Sequence, residues 1–142
     1  MQKDKGMLLY EKLSFLILLI LVAILVFNNQ YAEKYEVYGD WRGEFKGYEL
    51  FFEFKPNQRF KLIFKDKALK TSKVIKGNFY VDYSKKPILL SLKNLPNTLY
   101  PLHTIIKFKD NNLLIMEKFS TKEKFRPIIF NYEGSVGLKR SL

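Results

Sequence analysis

Two hydrophobic patterns divide the chain. From Leu13 to Phe27 it reads LSFLILLILVAILVF, with Ser14 as the only polar member, and no charge follows until Glu33. A run that is apolar on every side, rather than on one stripe, and uncharged throughout belongs in a membrane. Its strict length gives about 22 Å of helix, short of a hydrocarbon core of about 30 Å. Met7, Leu8, Leu9 and Tyr10 extend it at one end, with Lys12 snorkelling, and Tyr31 marks the other interface. An uncleaved anchor competes with a cleaved signal peptide, and Gln30, standing where cleavage needs a small residue, favours the anchor. Lys3, Lys5 and Lys12 precede the run, whereas Lys34 is the only base between it and Arg42. The N-terminus is therefore expected in the cytoplasm and the rest beyond the membrane.

Further along, the period becomes two. Tyr48, Leu50, Phe52 and Phe54 share one face of a strand, and Glu49 and Glu53 the other. The turn Lys55-Pro56-Asn57-Gln58 leads to Phe60, Leu62 and Phe64, opposed by Arg59, Lys61 and Lys65, which completes a hairpin. Further strands are expected at 74–83, 88–92, 104–109, 113–119 and 125–130, after a first strand near Trp41, while 65–76 leaves room for one helical turn. The expected architecture is mainly β: an N-terminal transmembrane helix, then a small antiparallel meander barrel of seven to eight strands, closed so that no edge is left exposed. The expected organisation is a cytoplasmic tip 1–12, an anchor 13–32, an exported barrel 36–131 and a polar C-terminal tail 132–142.

Composition narrows the chemistry. The 142 residues include no cysteine and one histidine, His103. Disulfides, thiolate metal sites and cysteine nucleophiles are excluded. His103 follows Pro101 and Leu102 and reads as a solvated loop residue. Glu49 and Glu53 lie about 13 Å apart along a strand, too far for a glycosidase pair. Neither a glycine-rich phosphate loop nor an EF-hand pattern is present. The expectation is therefore no catalytic residue, no metal site, no cofactor and no enzyme.

From Glu33 onward the chain carries 22 basic and 12 acidic residues, net +10 of a total +11. Lys65, Lys67, Lys70, Lys73 and Lys76 form the densest stretch, with Asp66 alone among them, and suit an anionic headgroup surface. Richness in Lys, Asn, Ile and Phe together is also what an AT-biased genome writes on a solvated face. Nucleic acid is not an expected partner, because the aromatics alternate inward. Tyr48, Leu50, Phe52, Phe54, Phe60, Leu62, Phe64, Phe79, Ile106, Phe108 and Phe130 are the expected inward residues, enough to fill a small barrel.

Gly39-Asp40-Trp41, then Gly77 to Asp82 running into Pro87, then Arg126-Pro127 with Phe130, follow a G-x-W, G-x-Y-x-x-D-x-x-x-x-P, R-P-x-x-F order. In this the stretch 39–130 resembles a family of small bacterial lipocalin-like domains, departing from it at Phe79, where tyrosine is usual, and at Thr104, where glycine is expected. The resemblance implies a barrel plugged at one end by Trp41, with Arg126 of the last strand across the indole, both structural. It implies no activity. The sequence thus reads as a non-enzymatic, membrane-anchored accessory or interaction protein, with a carrier or sensor of a lipid or small apolar ligand as the alternative. Its expected partners are the bilayer, anionic headgroups or an envelope or membrane protein complex, with oligomeric state open.

Overall fold

The computed structural model of the chain describes residues 3–30, 35–96 and 99–141. Two units are resolved, 1–34 and 35–142. In the first, α1 (Lys3–Gln30) is a single helix of 28 residues, about 42 Å long. It begins well before the apolar run, whose leucines and isoleucines continue it without a break. Each of the eleven large apolar residues from Leu13 to Leu25 is 49–67% exposed. Among the described residues, no helix is long and apolar enough to cross a membrane. Tyr31 and the side chains of Met7 to Tyr10 lie outside the described residues.

The second unit is an antiparallel barrel of eight strands, each bonded to the next in sequence and the last to the first. They are β1 (Gly39–Phe45), β2 (Tyr48–Phe54), β3 (Arg59–Asp66), β4 (Thr71–Asp82), β5 (Ile88–Lys93), β6 (Leu102–Asp110), β7 (Leu113–Met116) and β8 (Val136–Arg140). The β2–β3 hairpin has the alternation that the sequence requires: Phe52 pairs with Leu62 and Phe54 with Phe60 inside, Glu53 with Lys61 outside. No helical turn forms in 65–76; residues 67–70 make a tight turn, with Asp66 Oδ1 accepting from the amides of Ala68 and Leu69 at 2.9 and 3.0 Å.

Two expectations for the C-terminal part are corrected. Residues 125–130 are not a strand: Phe125 ends a 3-10 turn, η1 (Glu123–Phe125), and 126–130 run irregularly outside the sheet. Pro127 has no amide to give to a ladder, and the apolar side chains here do not alternate. The stretch 132–142 is not a tail, because β8 lies within it and closes the ring by pairing Trp41 with Arg140 and Arg42 with Lys139.

The barrel is filled. Trp41, Phe52, Phe54, Phe60, Phe79, Leu90, Leu92, Ile106, Leu114, Met116 and Leu138 are buried in one cluster. Phe52 stacks on Phe54 with ring centroids 5.5 Å apart, and Phe79 meets Phe54 edge-on at 5.0 Å. Phe130, expected inside, instead lies outside the sheet with the Lys107 ammonium 4.4 Å from its ring. Gly77 is required by close approach, since a Cβ there would stand 2.5 Å from the Lys93 carbonyl oxygen and 3.0 Å from Phe60.

Candidate functional site

The five lysines singled out in 65–76 are all exposed but share no single face. Lys65 lies on the outer wall opposite Ser72, and Lys76 on the same wall opposite Lys61. Lys73 pairs with Phe64 and so stands on the inner face, at the barrel's rim. There it borders a cavity of about 200 Å³ with Tyr48, Phe64 and Leu69. Lys67 and Lys70 occupy the turn between the strands, and Lys67 is paired with Glu44 at 2.6 Å.

Basic groups converge instead on the outer wall of β2–β4. Lys55, Arg59, Lys61 and Lys76 border an open groove of about 580 Å³, with Glu53 and Asn94. Glu53 takes Lys61 at 3.1 Å and Lys55 at 3.3 Å. The hydrogen bond from Lys61, with help from Lys55, holds its carboxyl below the usual range against the opposing effect of desolvation. Arg59 and Lys76 remain for an anionic group. The hairpin pattern already places Arg59 and Lys61 on one face; the addition of Lys76 depends on register across β3 and β4, which crosses a turn of uncertain length in the sequence.

Trp41 is fully buried, and its Nε1 donates to the Val37 carbonyl at 2.7 Å. The arginine on its face is Arg140, with the guanidinium 4.2 Å from the ring, and not Arg126. Arg140 also donates to the carbonyls of Tyr38, Glu36 and Asn111 at 2.5, 3.1 and 2.9 Å, which ties the chain entering β1 to β8. Gly39 makes room for this: its φ is +114°, and a Cβ would meet Arg140 Nη1 at 2.7 Å.

Arg126 is used elsewhere. Its Nη1 donates to the carbonyls of Leu90 and Thr104 at 2.9 and 2.8 Å, and its Nη2 to Ser91 Oγ at 2.8 Å. His103 Nδ1 is 3.2 Å from the same Nη2 and 3.0 Å from Ser91 Oγ. His103 is therefore not a loop residue; it is buried in β6 beneath the segment after β7, with its backbone bridged to Ser120 by two bonds of 2.8 Å. Burial first, and then the charge of Arg126, lower its pKa and keep the imidazole neutral. Ser91 and His103 are both buried and Arg126 Nη2 lies against Ser91 Oγ and His103 Nδ1, so the pair lacks the exposure of a nucleophilic dyad. Among the described residues, no three His, Asp or Glu side chains converge on a metal-sized site.

A second buried anchor follows β7. Glu117 Oε2 accepts from the Asn131 amide at 2.7 Å and from Ser135 Oγ at 2.6 Å. Burial pushes this carboxyl up, but the bonds from Ser135, Asn131 and the Lys118 backbone together outweigh it and hold the pKa below its ordinary value. Thr104 is buried and donates to the Glu117 carbonyl at 2.6 Å, just past the end of β7.

No family model, no curated protein and no solved structure matches this chain at a significant level.

Proposed function

We propose that the chain is a single-pass membrane protein that holds a lipocalin-like, basic barrel at the outer face of the cytoplasmic membrane, as a non-enzymatic accessory or interaction module. The observation that carries this reading is the surface of α1, where large apolar side chains from Leu13 to Leu25 stand open on all sides. A helix of that kind needs apolar surroundings. Residues 13–32 carry no charge, matching the roughly 20 residues that a hydrocarbon core asks for. The basic flank Lys3, Lys5 and Lys12 favours a cytoplasmic N-terminus.

In this reading the groove bordered by Arg59 and Lys76 meets anionic headgroups or an acidic surface of a membrane protein complex. A carrier of a lipid or apolar ligand would need an empty barrel, and here Trp41, Phe52, Phe54, Phe60 and Phe79 fill it. The absence of native cysteine allows a direct topological test. In intact spheroplasts, a membrane-impermeant maleimide should label Lys85→Cys, while Lys5→Cys should react only after lysis. Alkaline carbonate should leave the protein in the membrane pellet. The opposite labelling would reverse the orientation, and a mature N-terminus near Glu33 would replace the anchor by a cleaved leader.

A further inference from the structure

The segment after β7 presents a row of apolar side chains to solvent: Phe125 is 63% exposed, Ile128 79%, Ile129 73% and Tyr132 103%. Such exposure in a mobile loop would mean little, but this segment is pinned twice to the barrel wall. Arg126 bonds the carbonyls of Leu90 and Thr104 on one side, and Glu117 takes the Asn131 amide on the other. Ile128 and Ile129 lie between these two pins, and both side chains stand exposed.

Basic residues surround the row. Lys124 and Lys122 lie 5.0 and 5.9 Å from the Phe125 ring, and Lys107 4.4 Å from that of Phe130. Between 118 and 132, Lys118, Lys122 and Lys124 are exposed, and the one carboxylate in that stretch, Glu123, lies 3.6 Å from Arg126. Protruding aliphatic chains beside aromatics and lysines are what an anionic bilayer interface accepts, the apolar tips among acyl chains and the ammonium groups among headgroups. A protein partner would need a cleft shaped for nearly free side chains; lipid needs no such shape.

We infer that residues 125–132 form a rigid ridge that inserts into an anionic membrane surface, a second lipid contact of this chain besides α1. The inference rests on the membrane reading only in supplying a bilayer near the barrel.

The test uses the full chain with vesicles containing anionic lipid and an environment-sensitive fluorophore on one introduced cysteine. Ile129→Cys reports the ridge, Leu19→Cys reports α1, and Glu44→Cys, on the strand across the ring from β5, serves as reference. A label at Ile129→Cys should be quenched by spin-labelled lipid and several-fold less by aqueous iodide than the label at Glu44→Cys. Lipid contact at Leu19→Cys with an Ile129→Cys label as open to iodide as the reference overturns the ridge and leaves the anchor. Lipid contact at Ile129→Cys without it at Leu19→Cys overturns the anchor and leaves the ridge. Water exposure at both overturns both.

Discussion

Arg140, and not Arg126, covers Trp41, so the two arginines should behave differently when removed. Arg140→Ala deletes a cation–π contact and charged hydrogen bonds to carbonyls, a loss of about 2 kcal/mol or more. It should also shift the emission of Trp41, the chain's one tryptophan, whereas Arg126→Ala should leave that emission in place. Trp41→Ala should cost about 3 to 5 kcal/mol in urea unfolding followed by circular dichroism. His103 gives a pH signature. Its folded pKa is depressed by burial and by Arg126, with Lys93 acting in the same sense and Glu123 against. The unfolded chain therefore binds the proton first, and stability should fall as pH drops below about 6.5, levelling off beneath the lower folded value. Glu117 and Glu53, depressed by their hydrogen bonds, add a further loss below about 4.5. His103→Gln should flatten the first step and leave the second. That His103 is buried was not legible locally, because its cover comes from Ser120 and Arg126, far along the chain.

Elements with strict alternation were legible and those without were not. In β2 and β3 seven inward and outward positions in succession fix both the face and the register, so Glu53–Lys61 could be anticipated as a pair. In β8 the same rule rests on Val136 and Leu138 alone, with Gly137 between them, against a background of polar residues. The stretch 125–130 is opaque for the opposite reason: Phe125, Ile128, Ile129 and Phe130 supply hydrophobicity without period two, and Phe125, Ile128 and Ile129 are open to solvent. The arginine expected on Trp41 changes with the strand: 125–130 lies outside the sheet, and β8 brings Arg140 rather than Arg126 to the indole. Truncation after Tyr132 tests the corrected boundary. Loss of a polar tail would be silent, but loss of β8 opens the ladder edges of β1 and β7 and removes buried Val136 and Leu138. The truncated chain should lose cooperative unfolding and aggregate, as seen by circular dichroism and light scattering.

At the scale of the whole molecule the question is whether net charge or its placement governs anion binding. A field of +10 from Glu33 onward attracts anions wherever the charges lie, but exposed charges farther apart than a Debye length, about 8 Å at physiological salt, act almost independently. Lys67, Lys70 and Lys73 are spread over a turn and the barrel rim, and Lys67 is engaged by Glu44. Arg59 and Lys76 share one groove with Lys55 and Lys61, so their fields add within a single contact. The full chain in neutral-lipid nanodiscs should therefore capture anionic vesicles, and capture should fall steeply as sodium chloride is raised. Arg59→Gln with Lys76→Gln should weaken capture more than the triple change Lys67→Gln, Lys70→Gln and Lys73→Gln, although it removes fewer charges. Both variants should keep the parent melting temperature closely, because solvated side chains seldom move stability by more than about 0.5 kcal/mol. A loss proportional to the number of charges removed would show that the barrel binds through its overall field. Capture indifferent to salt would leave the basic surface as a product of composition, and would place the whole membrane contact of the barrel on apolar side chains such as Ile128 and Ile129.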